Sequence, residues 1–229
     1  MNVHLSDDPA KALAHKLEKT IEAYAPDPVL VLYAGGSALK IFEHLNLDAE
    51  TQVRTIWCAG DERVSGESNL NNYLQLKERL LDHAQEFTLV DSVGATEESP
   101  KSFSARMNSE LEKIFSAHKN LHVISIQGMG EDGHTAGIFP LPEDRFQDVY
   151  EHDSTYVPVH LEGLTIDSRA SITPAFIESR VDVLFGYVAG EAKKMTLESL
   201  KNDSKAIHEM PAQIFKTHKN CDVYTDLNV

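Results

Sequence analysis

Leu121-His122-Val123-Ile124-Ser125-Ile126 runs directly into Gln127-Gly128-Met129-Gly130-Glu131-Asp132-Gly133-His134-Thr135-Ala136-Gly137-Ile138-Phe139-Pro140, and this passage decides the fold. The first six residues are short, mostly apolar and rich in β-branched side chains, the pattern of a buried strand. Glycines at 128, 130 and 133 follow, so the backbone can turn sharply and come close to a ligand. In open α/β sheets ligands bind beyond the carboxyl ends of the strands, so His134, just past such an end, reads as a functional side chain.

Outward from this passage, helical and extended patterns alternate. Residues 9–24 space Ala10, Leu13, Leu17, Ile21 and Tyr24 three or four apart, one apolar helical face. Val29-Leu30-Val31-Leu32-Tyr33 is a second buried strand, followed by Ala34-Gly35-Gly36-Ser37 and a helical pattern through Leu39, Phe42 and Leu45. Residues 53–58 read as a strand, Gly60-Asp61-Glu62-Arg63 leads into a polar loop, and residues 73–81 read as a helix. After a mixed stretch with Gly94 and Pro100, residues 102–117 set Phe103, Met107, Leu111, Ile114 and Phe115 on one side of a helix.

Beyond the histidine, Thr155-Tyr156-Val157-Pro158-Val159 reads as a strand that its proline confines to a sheet edge. Thr173 and Pro174 fit the N-cap and first position of a helix. Val183-Leu184-Phe185-Gly186-Tyr187-Val188 is another buried strand, and residues 191–200 another helix. This alternation predicts an α/β fold with right-handed crossovers and a mainly parallel, Rossmann-like central sheet covered on both faces, three layers in all, with a small mixed subregion. No repeat, low-complexity tract or long linker interrupts the chain, so residues 1–229 read as one domain.

With 21 basic against 36 acidic residues the formal charge is −15, which argues against nucleic acid and anionic membranes as partners. Any anionic ligand has to be captured locally. No apolar run approaches bilayer length, and Met1-Asn2-Val3-His4-Leu5-Ser6-Asp7-Asp8 lacks the basic and apolar blocks of a signal peptide, so a cytoplasmic location is expected. Cys58 and Cys221 match no metal spacing and are expected as buried or incidental thiols.

Four blocks, in order, carry a family resemblance: Leu32-Tyr33-Ala34-Gly35-Gly36-Ser37; Trp57-Cys58-Ala59-Gly60-Asp61-Glu62-Arg63 with Asn71-Asn72-Tyr73; residues 128–140; and residues 169–173 with Gly190-Glu191-Ala192-Lys193. Met210-Pro211-Ala212 is a fifth, weaker one. Across positions 30–212 the chain resembles the 6-phosphogluconolactonase family, within the fold shared by glucosamine-6-phosphate deaminases and ribose-5-phosphate isomerases. The resemblance implies hydrolysis of 6-phospho-D-glucono-1,5-lactone, the second step of the oxidative pentose phosphate pathway, with no cofactor and no metal, by a monomer or small homo-oligomer.

Lactone opening needs an activated water, a stabilised oxyanion and a proton for the departing ring oxygen. His134 fits the first and third as general base and then acid. Asp132 fits a site role, orienting the imidazole or polarising the water, and equally a structural one, capping the turn beside Gly133. Gly35, Gly36 and Ser37, between a strand and a helix, form an anion seat for the phosphate, with Arg169 and Lys193 as its cations. Arg63 faces either phosphate or oxyanion. Asp61 and Glu62 point to opposite sides of an extended segment, and Asp61 is the one expected in the site, holding Arg63 or a sugar hydroxyl. Asn72 and Gly130 complete the expected pocket. His44, His83, His118, His122, His152, His160, His208 and His218 read as surface or packing residues.

The chain departs from the family at Gly137-Ile138, where Ser-Leu is frequent, at Ala38-Leu39 in place of Thr-Pro, and at Asn71 in place of Ser. Two other readings stay open. Glucosamine-6-phosphate deaminases share the Asp-Gly-His turn, but an acid follows their histidine, which Thr135-Ala136-Gly137-Ile138-Phe139 does not supply, and Arg63 stands where they have an aromatic residue. A noncatalytic sugar-phosphate sensor is the other; residues 1–27 are too short for a helix-turn-helix.

Overall fold

The computed structural model describes residues 1–65, 67, 69–81, 86–93, 98–161 and 168–229. His83 and Gly94 lie outside these. The strands, in chain order, are β1 (Asn2–Leu5), β2 (Val29–Tyr33), β3 (Thr55–Ala59), β4 (Asp61–Arg63), β5 (Thr88–Leu89), β6 (His122–Gly128), β7 (Tyr156–His160), β8 (Ser168–Ile172), β9 (Val183–Val188) and β10 (Cys221–Thr225). The helices are α1 (Pro9–Ala23), α2 (Ala49–Arg54), α3 (Asn72–Leu80), α4 (Pro100–Ala117), α5 (Glu143–Tyr150), α6 (Pro174–Arg180), α7 (Lys194–Asn202) and α8 (Ile214–Thr217).

Alternate residues of β2 point into different cores. Leu30 and Leu32 join Phe103, Met107 and Leu111 of α4, while Val29, Val31 and Tyr33 join Leu13, Leu17 and Ile21 of α1. A strand apolar on both faces needs a helix on each, and burying each such side chain contributes about 1.5–3 kcal/mol. The central sheet runs β1-β10-β9-β6-β2-β3-β5, with every neighbouring pair parallel. From β2 the chain moves outward through β3 to β5, and from β6 it moves the other way through β9 to β10. The crossovers therefore diverge between β2 and β6, and a crevice opens beyond the carboxyl ends of those two strands.

A second sheet, β4-β8-β7, is antiparallel throughout. Its edge strand β7 carries Pro158, as the sequence predicts. Gly60 joins the two sheets: its N–H donates to the Tyr33 carbonyl at 2.8 Å and its own carbonyl accepts from the Ile172 N–H at 3.0 Å. The chain thus leaves the parallel sheet at Ala59 and enters the antiparallel one at Asp61.

Several boundaries differ from expectation. Val53 and Arg54 close α2, whose N-cap is Asp48, so β3 begins at Thr55. The helical pattern after the Gly-Gly-Ser turn is a 3-10 helix, Gly36–His44, and residues 191–200 open with another, Glu191–Lys193, before α7. Thr173 caps α6 as expected, its side chain accepting the Phe176 N–H. Among the described residues no helix is long and apolar enough to cross a membrane.

Candidate active site

The histidine turn is built from its own bonds. Gly130 N–H donates to the His134 carbonyl at 2.9 Å and Gly133 N–H to the Gly130 carbonyl at 3.1 Å, while Thr135 and Ile138 exchange backbone bonds at 3.2 and 2.9 Å. The Thr135 hydroxyl, 2.8 Å from both the Gln127 side-chain oxygen and the Gly128 carbonyl, ties the turn to β6. The block at 210–212 braces it from outside, with Ala212 N–H donating to the Gly133 carbonyl at 2.9 Å.

One oxygen of Asp132 meets both the turn backbone and the imidazole. Its Oδ1 accepts the His134 backbone N–H at 3.1 Å and lies 2.6 Å from the ring Nδ1. An ionised carboxylate only accepts, so Nδ1 carries a proton, and in the neutral ring the lone pair is on Nε2. Burial raises the Asp132 carboxyl, but the bond and charge of His134 outweigh it and hold the group below its usual value. The imidazole stacks on Phe139, centroids 4.6 Å apart. Gly130 leaves room for this arrangement, since a Cβ there would lie 2.2 Å from the imidazole and 2.6 Å from Asp132 Oδ1.

The cations come from register. In β4 and β8, Asp61 stands opposite Ser171 and Arg63 opposite Arg169, with Glu62 opposite Ala170. Directly opposed residues share a face, so Asp61, Arg63, Arg169 and Ser171 lie together while Glu62 turns the other way. Two arginines facing each other repel. Asp61 compensates in part: burial raises its carboxyl, opposed by Arg169, Arg63 and His134. Burial lowers the Arg169 guanidinium, helped by Arg63 and resisted by Asp61, and the same guanidinium lies 5.2 Å from the Phe139 ring centroid. Lys193 is lowered by burial against the pull of Glu131 and Asp226.

A cavity of about 530 Å³ collects all of the residues picked out in sequence: Gly35, Gly36, Ser37, Asp61, Arg63, Asn72, Gly130, Asp132, His134, Arg169 and Lys193. It is also lined by Gly128 of the glycine turn and by Ala34, Met129, Glu131, Ala136 and Phe139, to which the sequence reading gave no role. Phe139 and Ser171 are the informative omissions. Phe139 contacts both the imidazole and a guanidinium, and the Ser171 hydroxyl accepts the Gly137 N–H at 3.0 Å. The period of two puts Ser171 on the Arg169 face of β8, but its meeting with the turn depends on the strand pairing. Among the described residues no group of three or more His, Cys, Asp or Glu is placed to hold a metal ion.

Away from the cavity, His218 is a packing residue whose ring nitrogens lie 3.0 and 2.9 Å from the Asn220 and Val181 carbonyls. Cys58 and Cys221 are free and buried, and burial pushes both thiols up to about 12.

The model of the glucosamine-6-phosphate isomerases/6-phosphogluconolactonase family matches residues 3–224. A 6-phosphogluconolactonase of Borreliella burgdorferi is 32% identical over 117 residues, 49% of this chain and 46% of that protein, so the match spans about half its length. A probable 6-phosphogluconolactonase of Dictyostelium discoideum is 26% identical over 83% of this chain and 81% of its own. The crystal structure of a 6-phosphogluconolactonase from Shewanella baltica superposes with a TM-score of 0.77 at 18% identity, covering 98% of this chain and 95% of that one. On the extent of the family match, which takes in both sheets and the whole cavity, the chain belongs to the glucosamine-6-phosphate isomerases/6-phosphogluconolactonase family.

Proposed function

We propose that the chain hydrolyses 6-phospho-D-glucono-1,5-lactone to 6-phospho-D-gluconate, the second step of the oxidative pentose phosphate pathway. The observation that carries this reading is the 2.6 Å His134–Asp132 bond at a cavity that also gathers a Gly-Gly-Ser turn and three cations. Nε2 of His134 takes a proton from water as the water oxygen attacks the C1 carbonyl. The imidazolium then returns the proton to the ring oxygen as the C1–O bond breaks, a form of catalysis worth about 10²–10⁴-fold. Asp132 keeps the imidazole in the Nδ1–H tautomer and stabilises the imidazolium.

The phosphate dianion sits on the Gly35-Gly36-Ser37 turn between Arg169 and Lys193, which leaves Arg63 for the tetrahedral oxyanion. Asp61 offsets the charge of the two arginines. The buried side-chain oxygen of Asn72 has no hydrogen-bond partner among the described residues and packs on Gly35, so Asn72 shapes the pocket. Gly130 lets the lactone approach the imidazole. The lack of an acid in Thr135-Ala136-Gly137-Ile138-Phe139, together with Arg63 lining the cavity, favours the lactonase over the deaminase.

The test is to generate the lactone enzymatically from glucose 6-phosphate and follow its decay. Decay no faster than the spontaneous reaction sinks the assignment. Ammonia release from glucosamine 6-phosphate would support a deaminase instead, and tight binding without turnover a sensor.

A further inference from the structure

Glu62 takes no part in that chemistry, yet it is fully buried beside the site. We propose that Glu62 is a positioning residue that fixes the Gly35-Gly36-Ser37 turn relative to the Asp61–Arg63 strand, and thereby sets the pocket's affinity for a phosphorylated sugar. Its Oε1 accepts the backbone N–H groups of Arg63 at 2.9 Å and Asn72 at 2.6 Å. Its Oε2 accepts the Tyr73 N–H at 3.1 Å and the Ser92 hydroxyl at 2.8 Å. These donors come from β4, the first turn of α3 and the segment after β5. The two helical N–H groups are among the orphans at a helix N-terminus, which need an acceptor from outside the helix.

Asn72 extends the clamp across the cavity. Its Nδ2 donates to the Asp61 carbonyl at 2.9 Å, and its amide packs so closely on Gly35 that a Cβ there would come within 1.9 Å of Oδ1. Glu62 therefore grips the backbone of Arg63 and of Asn72 with one oxygen, and Asn72 meets the phosphate turn with its side chain. The strand it grips carries Arg63 against Arg169, a pair whose repulsion would otherwise widen the spacing. Glu62→Ala leaves three backbone donors unmet. Glu62→Gln keeps one acceptor oxygen for Arg63 and Asn72 but turns an NH2 toward the Tyr73 N–H.

The choice of probe rests on the lactonase reading, but the readout is binding: titration calorimetry with 6-phosphogluconate, which does not react. Glu62→Ala is expected to weaken binding about tenfold or more and Glu62→Gln about threefold, one lost or mismatched hydrogen bond in the second case. In turnover the loss should fall on KM, with kcat within about threefold. Leu200→Ala, a core truncation in α7 outside the cavity, is the control for mere loss of stability and should bind as wild type does. Wild-type affinity in Glu62→Ala, an equal loss in Leu200→Ala, or a defect confined to kcat overturns the proposal. If Glu62→Ala does not fold, Glu62→Gln decides alone, and unchanged affinity overturns it. A wild type that binds 6-phosphogluconate without hydrolysing the lactone ends the lactonase reading and leaves this comparison intact. A wild type that binds neither that compound nor inorganic phosphate overturns both.

Discussion

The histidine turn and the β4–β8 strand pair line the same cavity but are held by different means. In the turn, the imidazole finds its carboxylate two residues upstream and its stacking partner five residues downstream, and the Thr135 hydroxyl fastens the loop to β6. In the strand pair, Arg63 and Arg169 lie more than a hundred positions apart and meet only through register. The turn is a local, self-bonded unit, so damage to it falls on the chemical step. The strand wall is a long-range assembly with like charges in it, so damage to it falls on affinity.

The largest expected effect follows from the first half of that contrast. His134→Ala should lower kcat on the order of 10³-fold with KM little changed, read in the lactone decay assay. Gly130→Ala comes next. Its Cβ would sit 2.2 Å from the imidazole, so the ring has to leave its bond to Asp132, and a displacement of about 1 Å can cost on the order of 10²-fold in kcat. A Gly130→Ala protein with wild-type kcat would show that the turn is not stiff, and the contrast would fail there.

Arg169→Ala tests the other wall. Loss of a charge-assisted contact to phosphate, about 1.5–3 kcal/mol, should raise KM roughly 10–100-fold while kcat changes by a few-fold. A mainly kcat defect would move Arg169 to the oxyanion and make the two walls alike.

The same contrast explains what could be read from the chain itself. The β2 and β9 runs are apolar throughout and the β6 run is mostly so, because helices cover both faces, so they were legible, as were the glycine turns at their ends. β1 and β10 were not: β1 is a sheet edge, largely exposed, and β10 carries a polar Asp222, so neither reads as a hydrophobic run. α5 buries only Phe146 and Tyr150, too few to set a period. Candidate site residues in the turn followed from their neighbours. Ser171 escaped because its place depends on which strand β8 pairs with and in which register, and a sequence does not state its register.

Glu62 gives the finest test, one that should hardly touch turnover. Burial pushes its carboxyl from an ordinary 4.5 up to about 8, against the donors at Asn72 and Ser92 that pull it down. Between those two values the folded protein holds a proton that the unfolded chain has released. Stability is therefore greatest below about 4.5 and is lost as pH rises toward 8, by at most about 1.4 kcal/mol per pH unit from this group. Other groups also contribute to the pH dependence, so the informative quantity is the difference between wild type and Glu62→Gln, whose amide has no such slope. Denaturant titrations at pH 5 and pH 8 should show Glu62→Gln gaining on wild type as pH rises. A constant gap would mean that the four donors keep Glu62 ionised throughout, which would make the strand wall a fixed-charge assembly as firmly set as the turn.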